Sequence, residues 1–186
     1  MKKLTLLIFL CLTARFSFAQ LDVSINPISI LFESLDLSAE YGIKNDFGID
    51  ATLGYDFGKY DVGDVEVKNT GFGLRLIGKY YFKPDDGLDR WSIGPYVRVG
   101  TRSGKFDDGV ENYSVTNFKF AVGFYTGYKW VSKKNIVFEL GFGAGRAFVN
   151  KYTSDEDSFD AGDYPGLNFD VTGRLSLGYR FGLGKN

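Results

Sequence analysis

Residues 118–130 read FKFAVGFYTGYKW, and their alternation sets the architecture. Phe118, Phe120, Val122, Phe124, Thr126, Tyr128 and Trp130 fall on one parity, and Lys119, Ala121, Gly123, Tyr125, Gly127 and Lys129 on the other. Successive side chains of a β-strand point to opposite faces, so this stretch is a strand with one apolar face and one polar, glycine-bearing face.

The same pattern continues outward in both directions. Upstream, 91–102 sets Trp91, Ile93, Pro95, Val97 and Val99 against Ser92, Gly94, Tyr96, Arg98, Gly100 and Arg102. The run 72–82 sets Phe72, Leu74, Leu76, Gly78, Tyr80 and Phe82 against Gly73, Arg75, Ile77, Lys79 and Tyr81. Further alternating runs occupy 47–57 and 35–43, and downstream 136–144 and 169–181. That makes seven strands. An eighth is expected within 21–32 (LDVSINPISILF), where Pro27 confines it to an edge, a strand start or a bulge. Bacterial single-chain outer-membrane barrels have even strand numbers. Turns at 44–46 and 132–135 are tight and 83–90 is modest, whereas 58–68, 103–117 and 150–166 read as long polar loops. The link from the first strand to the second is expected to be very short. The expected fold is all-β, an eight-stranded antiparallel up-and-down transmembrane β-barrel.

A soluble lipocalin-like barrel also alternates, so three further features place the apolar face toward lipid. Glycines such as Gly54, Gly73, Gly100, Gly123, Gly141 and Gly143 fall repeatedly on the polar face. A glycine in a strand costs conformational entropy, which a crowded narrow lumen can justify and a solvated face cannot. Aromatics gather at both ends of the apolar face, as they do at the two interfaces of a bilayer. Strands of about 11–13 residues suit a tilted bilayer crossing. The inward face then carries Arg75, Lys79, Arg98, Arg102, Lys119, Lys129, Arg174 and Arg180 against Asp36, Glu40, Asp50, Asp56, Glu139 and Asp170. This nearly balanced set is expected to pair inside the lumen.

The chain opens with a signal-peptide pattern over 1–19. Lys2 and Lys3 precede the apolar stretch Leu4–Leu12, and Ser17-Phe18-Ala19 offers a cleavage site before Gln20. The barrel domain is expected over 20–186. Cys11, the only cysteine, lies in that leader and follows Leu10 rather than a small residue, so neither lipidation nor thiol chemistry is expected. Net charge is −1, and losing Lys2, Lys3 and Arg15 takes it to −4, which offers nucleic acid no surface. There is no histidine, so a Ser-His-Asp site and histidine metal sites are impossible. Asp50 and Asp56 read as partners for arginine rather than as a catalytic pair. GFGLRLIG and GFGAGRAF lack the following helix of a phosphate loop and read as strand glycines. Asp155, Glu156, Asp157, Asp160 and Asp163 form an acidic loop without the spacing of an EF-hand, read as a solvated loop and, as a second reading, a weak Ca²⁺ site.

With NPISILFESLDLSAEY, GFGLRLIGKYYF, GPYVRVG and GRLSLGYRF in place, the chain resembles the small OmpX- and OmpA-type outer-membrane barrels. More nearly, it is similar to an uncharacterised family of small barrels from Bacteroidota-type bacteria. The resemblance implies a Gram-negative outer membrane as location, outer-membrane lipid and lipopolysaccharide as surroundings, and delivery by the barrel-assembly machinery. Tyr179 and Phe181 would be the aromatic positions of the assembly signal, although Ser176 stands where that signal has glycine and Gly182–Asn186 follow it. The expectation is a monomeric, non-enzymatic protein with no catalytic, cofactor or metal residues and no cofactor, which acts in envelope structure or surface interaction through its long loops. The alternatives are a narrow porin-like pore for small solutes and a soluble periplasmic lipocalin-like binder.

Overall fold

The computed structural model describes residues 20–62, 65–107, 112–154, 158–160 and 168–182. The expected signal peptide lies outside them, as do Asp155, Glu156, Asp157 and Asp163 of the acidic loop. The elements are β1 (Leu21–Ile25), α1 (Pro27–Leu31), β2 (Ser34–Lys44), β3 (Phe47–Asp56), β4 (Lys59–Val62), β5 (Val65–Tyr81), β6 (Arg90–Asp107), β7 (Asn112–Val131), β8 (Ile136–Ser154), β9 (Ser158–Asp160) and β10 (Phe169–Phe181). Antiparallel pairing runs β1-β2-β3-β5-β6-β7-β8-β10, and β10 pairs back onto β1 to close an eight-stranded ring. The short strands β4 and β9 extend β5 and β8 outside that ring.

Parity sets which face points inward. Ile77, Lys79, Tyr81, Tyr96, Tyr125, Lys129 and Glu139 are buried, while Leu53, Leu76, Val97, Phe124, Leu140 and Leu177 are exposed. The inside is therefore polar and the outside apolar, the reverse of a soluble core. Aromatic rings stack along the outer rim at the tight-turn end, with Tyr128–Trp130 centroids 4.5 Å apart and Tyr179–Phe181 4.9 Å apart. At the opposite end Tyr55 and Phe72 stand 4.8 Å apart.

The structure differs from the sequence reading in three respects. In the stretches 58–68, 103–117 and 150–166, read as loops, the described residues other than Gly58 are strand: β5 has 17 residues, β6 18, β7 20 and β8 19. Beyond the apolar belt both faces meet water, so the alternation that marks a strand disappears while the ladder continues. The first strand is only five residues, and the link to β2 is not very short. It contains α1, with Pro27 in the first turn, where its missing N–H costs nothing. Finally, 83–89 is more than a turn. Leu88 is buried across the tight-turn mouth, where its backbone N–H donates to Gln20 Oε1 (2.9 Å) and Arg180 Nη2 donates to its carbonyl (2.8 Å).

Candidate functional site: the charged interior and its outer cavity

The interior divides into a filled lower half, toward the tight turns, and an open upper half. Lys79 on β5 sits at the centre of the lower half. Its Nζ lies 2.9 Å from Glu40, 3.3 Å from Asp50 and 2.7 Å from Glu139, on β2, β3 and β8. Those three carboxylates are the one acidic group of the described residues close enough together to hold a metal ion. The Lys79 ammonium already occupies their centre and supplies the charge a cation would bring. Lys129 bridges Asp22 (2.9 Å) and Glu40 (2.6 Å), Arg174 bonds Asp50 (2.8 Å), and Arg180 bonds Asp22 (2.8 Å). Tyr81 and Tyr125 donate to Glu40 (2.7 Å) and Glu139 (2.8 Å). Charges this deep are tolerable only when each is paired and hydrogen-bonded, and here each is.

Asp22 is a seventh inward carboxylate that sequence reasoning missed. Its strand is too short for its phase to be read among Leu21, Val23 and Ile25 on one side of Pro27. Asp50 and Asp56 do not form a pair. Asp50 belongs to Lys79 and Arg174, whereas Asp56 meets Arg102 at 2.9 Å.

Glycines make room for the tyrosines of this network. A Cβ on Gly141 would collide with Tyr125 Oη, and one on Gly123 would stand 2.5 Å from a Tyr96 ring carbon. Tyr96 lies against that wall and donates to Asp170 at 2.7 Å. GFGLRLIG and GFGAGRAF both lie on strands, β5 and β8, with no helix after them.

The upper half holds a cavity of about 780 Å³. Arg75, Arg98, Arg102, Lys119 and Arg174 line it, against the carboxylates Asp36 and Asp56. Arg98 and Lys119 share one carboxylate, Asp170, at 3.4 and 2.7 Å. Arg75 is 8% exposed, bonds the Thr172 hydroxyl, keeps a buried Nε with no partner, and has no carboxylate partner among the described residues.

A polar, ion-paired interior inside an apolar, aromatic-rimmed ring of eight antiparallel strands defines a class, the small outer-membrane-type β-barrel. The structure is similar to a major outer membrane protein from Thermus thermophilus, with a TM-score of 0.61 and 16% identity over 88% of this chain and 99% of that one. It is also similar to Ail, the attachment invasion locus protein of Yersinia pestis, with a TM-score of 0.57 and 12% identity over the same shares. The chain belongs to the family described as Protein of unknown function (DUF3575), whose model matches residues 4–164. No curated protein matches it.

Proposed function

We propose that the protein is a monomeric, non-enzymatic β-barrel of the Gram-negative outer membrane, delivered by a cleaved leader over 1–19 and the barrel-assembly machinery. In this reading lipid and lipopolysaccharide surround it, and it engages partners through its projecting strands. One observation carries the proposal: the exposed apolar side chains, rimmed by aromatics, encircle an interior of buried ion pairs. In water such an exterior would be a large aggregating surface, whereas in a bilayer it is solvated.

A surface role is favoured by strand length. β7 has 20 residues, roughly 65 Å of strand, while a tilted crossing needs about 9–11 residues. About half of β7 therefore stands clear of the bilayer as a stiff hairpin with β6 and β8, a rigid platform of the kind that carries recognition. The name of one structural neighbour, an attachment protein, fits the same reading. The pore alternative is weakened by the Lys79 network and by Leu88 across the lower mouth. The soluble-binder alternative is weakened by the polar interior.

Fractionation of expressing cells tests the location. The protein should be recovered with outer membranes, require detergent for release, and run faster on a gel unheated than boiled. Recovery from the soluble periplasm without detergent would overturn the reading.

A further inference from the structure

The wall of the barrel is incomplete in its upper half. The β1 ladder with β10 ends at the pair Ile25–Leu177, and its ladder with β2 ends at Ile25–Leu37. Asn26 adds one last tie on each side, accepting from Leu175 N (3.3 Å) and donating from its own N to the Asp36 carbonyl (3.1 Å). Above that level α1 stands where strand should be. It is fastened to β2: Asp36 N donates to Ser29 Oγ (3.2 Å), and Ser34 Oγ donates to the Ser29 carbonyl (3.0 Å). No hydrogen bond among the described residues joins α1 itself to β10. A helix tied on one side only leaves a seam along the other.

The upper cavity reaches that seam. Its lining passes from Arg75, Arg98 and Lys119 inside to Ile28 and Phe32 at one lip and Val171 and Leu175 at the other. Ile28, Phe32 and Val171 are exposed on the apolar exterior. Between Val171 and Leu175 on the same outward face, Gly173 lines the cavity and adds no side chain to that lip. One continuous void therefore joins a cationic chamber to the lipid-facing surface.

The chemistry at the two ends differs, and a ligand must match both. Inside, Arg75 is more than nine-tenths buried with no carboxylate of the described residues in ion-pair reach, and Arg98 and Lys119 divide Asp170 between them. Arg75, Arg98, Arg102, Lys119 and Arg174 line the chamber against only Asp36 and Asp56 among the described residues, so positive charge is in excess there. At the lips the surface is aliphatic and aromatic. We propose that the cavity binds a single-chain anionic amphiphile, its carboxylate-type head group held by Arg75, Arg98 and Lys119 and its acyl chain leaving the barrel between α1 and β10. This inference rests on the outer-membrane reading above, because the chain needs lipid at the seam. A guanidinium can offer a carboxylate two parallel N–H donors, a fit that a neutral head group lacks.

The test uses the full mature protein in phosphatidylcholine nanodiscs with a sixteen-carbon fatty acid carrying a mid-chain diazirine. After irradiation, adducts are mapped by mass spectrometry. They should concentrate on Ile28, Phe32, Val171 and Leu175. Arg75→Gln should lower them about tenfold, the scale of one lost charge-assisted hydrogen bond. The alcohol of equal length should label these positions no more than it labels Leu53 or Phe124. Even labelling around the barrel, equal labelling by acid and alcohol, or displacement of the probe by butyrate as readily as by palmitate would overturn the inference. Gel mobility before and after heating reports that each sample is a folded barrel, which separates this outcome from failure of the outer-membrane reading. If R75Q does not fold, the comparison of acid with alcohol on the unaltered protein decides.

Discussion

At the residue scale the interior works by charge matching, and its members are unequal. Among the described residues, Lys79 is the only cation that touches Glu40, Asp50 and Glu139 together. Lys79→Met should destabilise the barrel by about 3–5 kcal/mol, because three buried carboxylates lose their shared counter-charge. Arg102 pairs with Asp56 in a bridge whose side chains are 55% and 26% exposed, so Arg102→Gln should cost about 0–1 kcal/mol. Urea unfolding in detergent, followed by gel mobility, would rank the two variants, and equal losses would contradict the account. The glycines divide in the same way. Gly141→Ala must displace the Tyr125 ring and should cost about 1–3 kcal/mol. At Gly73 the nearest atom to a new Cβ is the Val99 carbonyl oxygen at 3.7 Å, so Gly73→Ala should be nearly silent in the same assay. Parity alone made most inward residues legible: Arg75, Lys79, Tyr96, Lys129, Glu139 and Arg174 all fall where alternation puts them. The pairing partners were not legible, because Lys79 and Glu139 meet across the lumen, 60 residues apart in the chain.

At the scale of elements, legibility followed the apolar belt. Within it, each strand announces itself because one parity must be apolar. Above it, β5 to β8 continue with polar side chains on both faces, and only the backbone ladder marks them as strand. The α1 segment was hidden for another reason. Five residues, PISIL, are too few to show a helical period, and Pro27 reads equally well as a strand interruption. Ser29 is its anchor, since its hydroxyl donates to the Asn26 carbonyl (2.7 Å) and accepts from Asp36 N. Ser29→Ala should cost about 1–2 kcal/mol locally and speed amide exchange at Asp36, measurable by mass spectrometry on the barrel in nanodiscs. Unchanged exchange would mean that α1 is held by packing instead. The segment 83–90 reads as a modest turn because nothing in KPDDGLDR says that Leu88 turns inward. That information lies in Gly48, where a Cβ would stand 2.6 Å from the Leu88 side chain.

At the scale of the whole molecule, the outward belt and inward charges carry the location, and the filled lower half carries the expectation about transport. Reconstituted in a planar bilayer, the protein should give no stable conductance. A mutant lacking Leu88 and its neighbours across the mouth should gain little, because the Lys79 network still fills the bore. Steady single-channel steps from the unaltered protein would contradict this. Eight strands leave width for side chains but not for a free water column, so a closed bore follows from strand count alone.

The shortness of β1 also bears on how the barrel yields. The ring is stitched shut by five rungs between β1 and β10, whereas β10 and β8 share eleven. The β1–β2 ladder also has five but is flanked by two more backbone hydrogen bonds, from Gly42 N to the Gln20 carbonyl and from Asn26 N to the Asp36 carbonyl. A hoop fastened so unequally has a designated fracture line. Pulled from its two termini by a force probe, it should part along the β1–β10 join before any other, and on release it should snap closed there last.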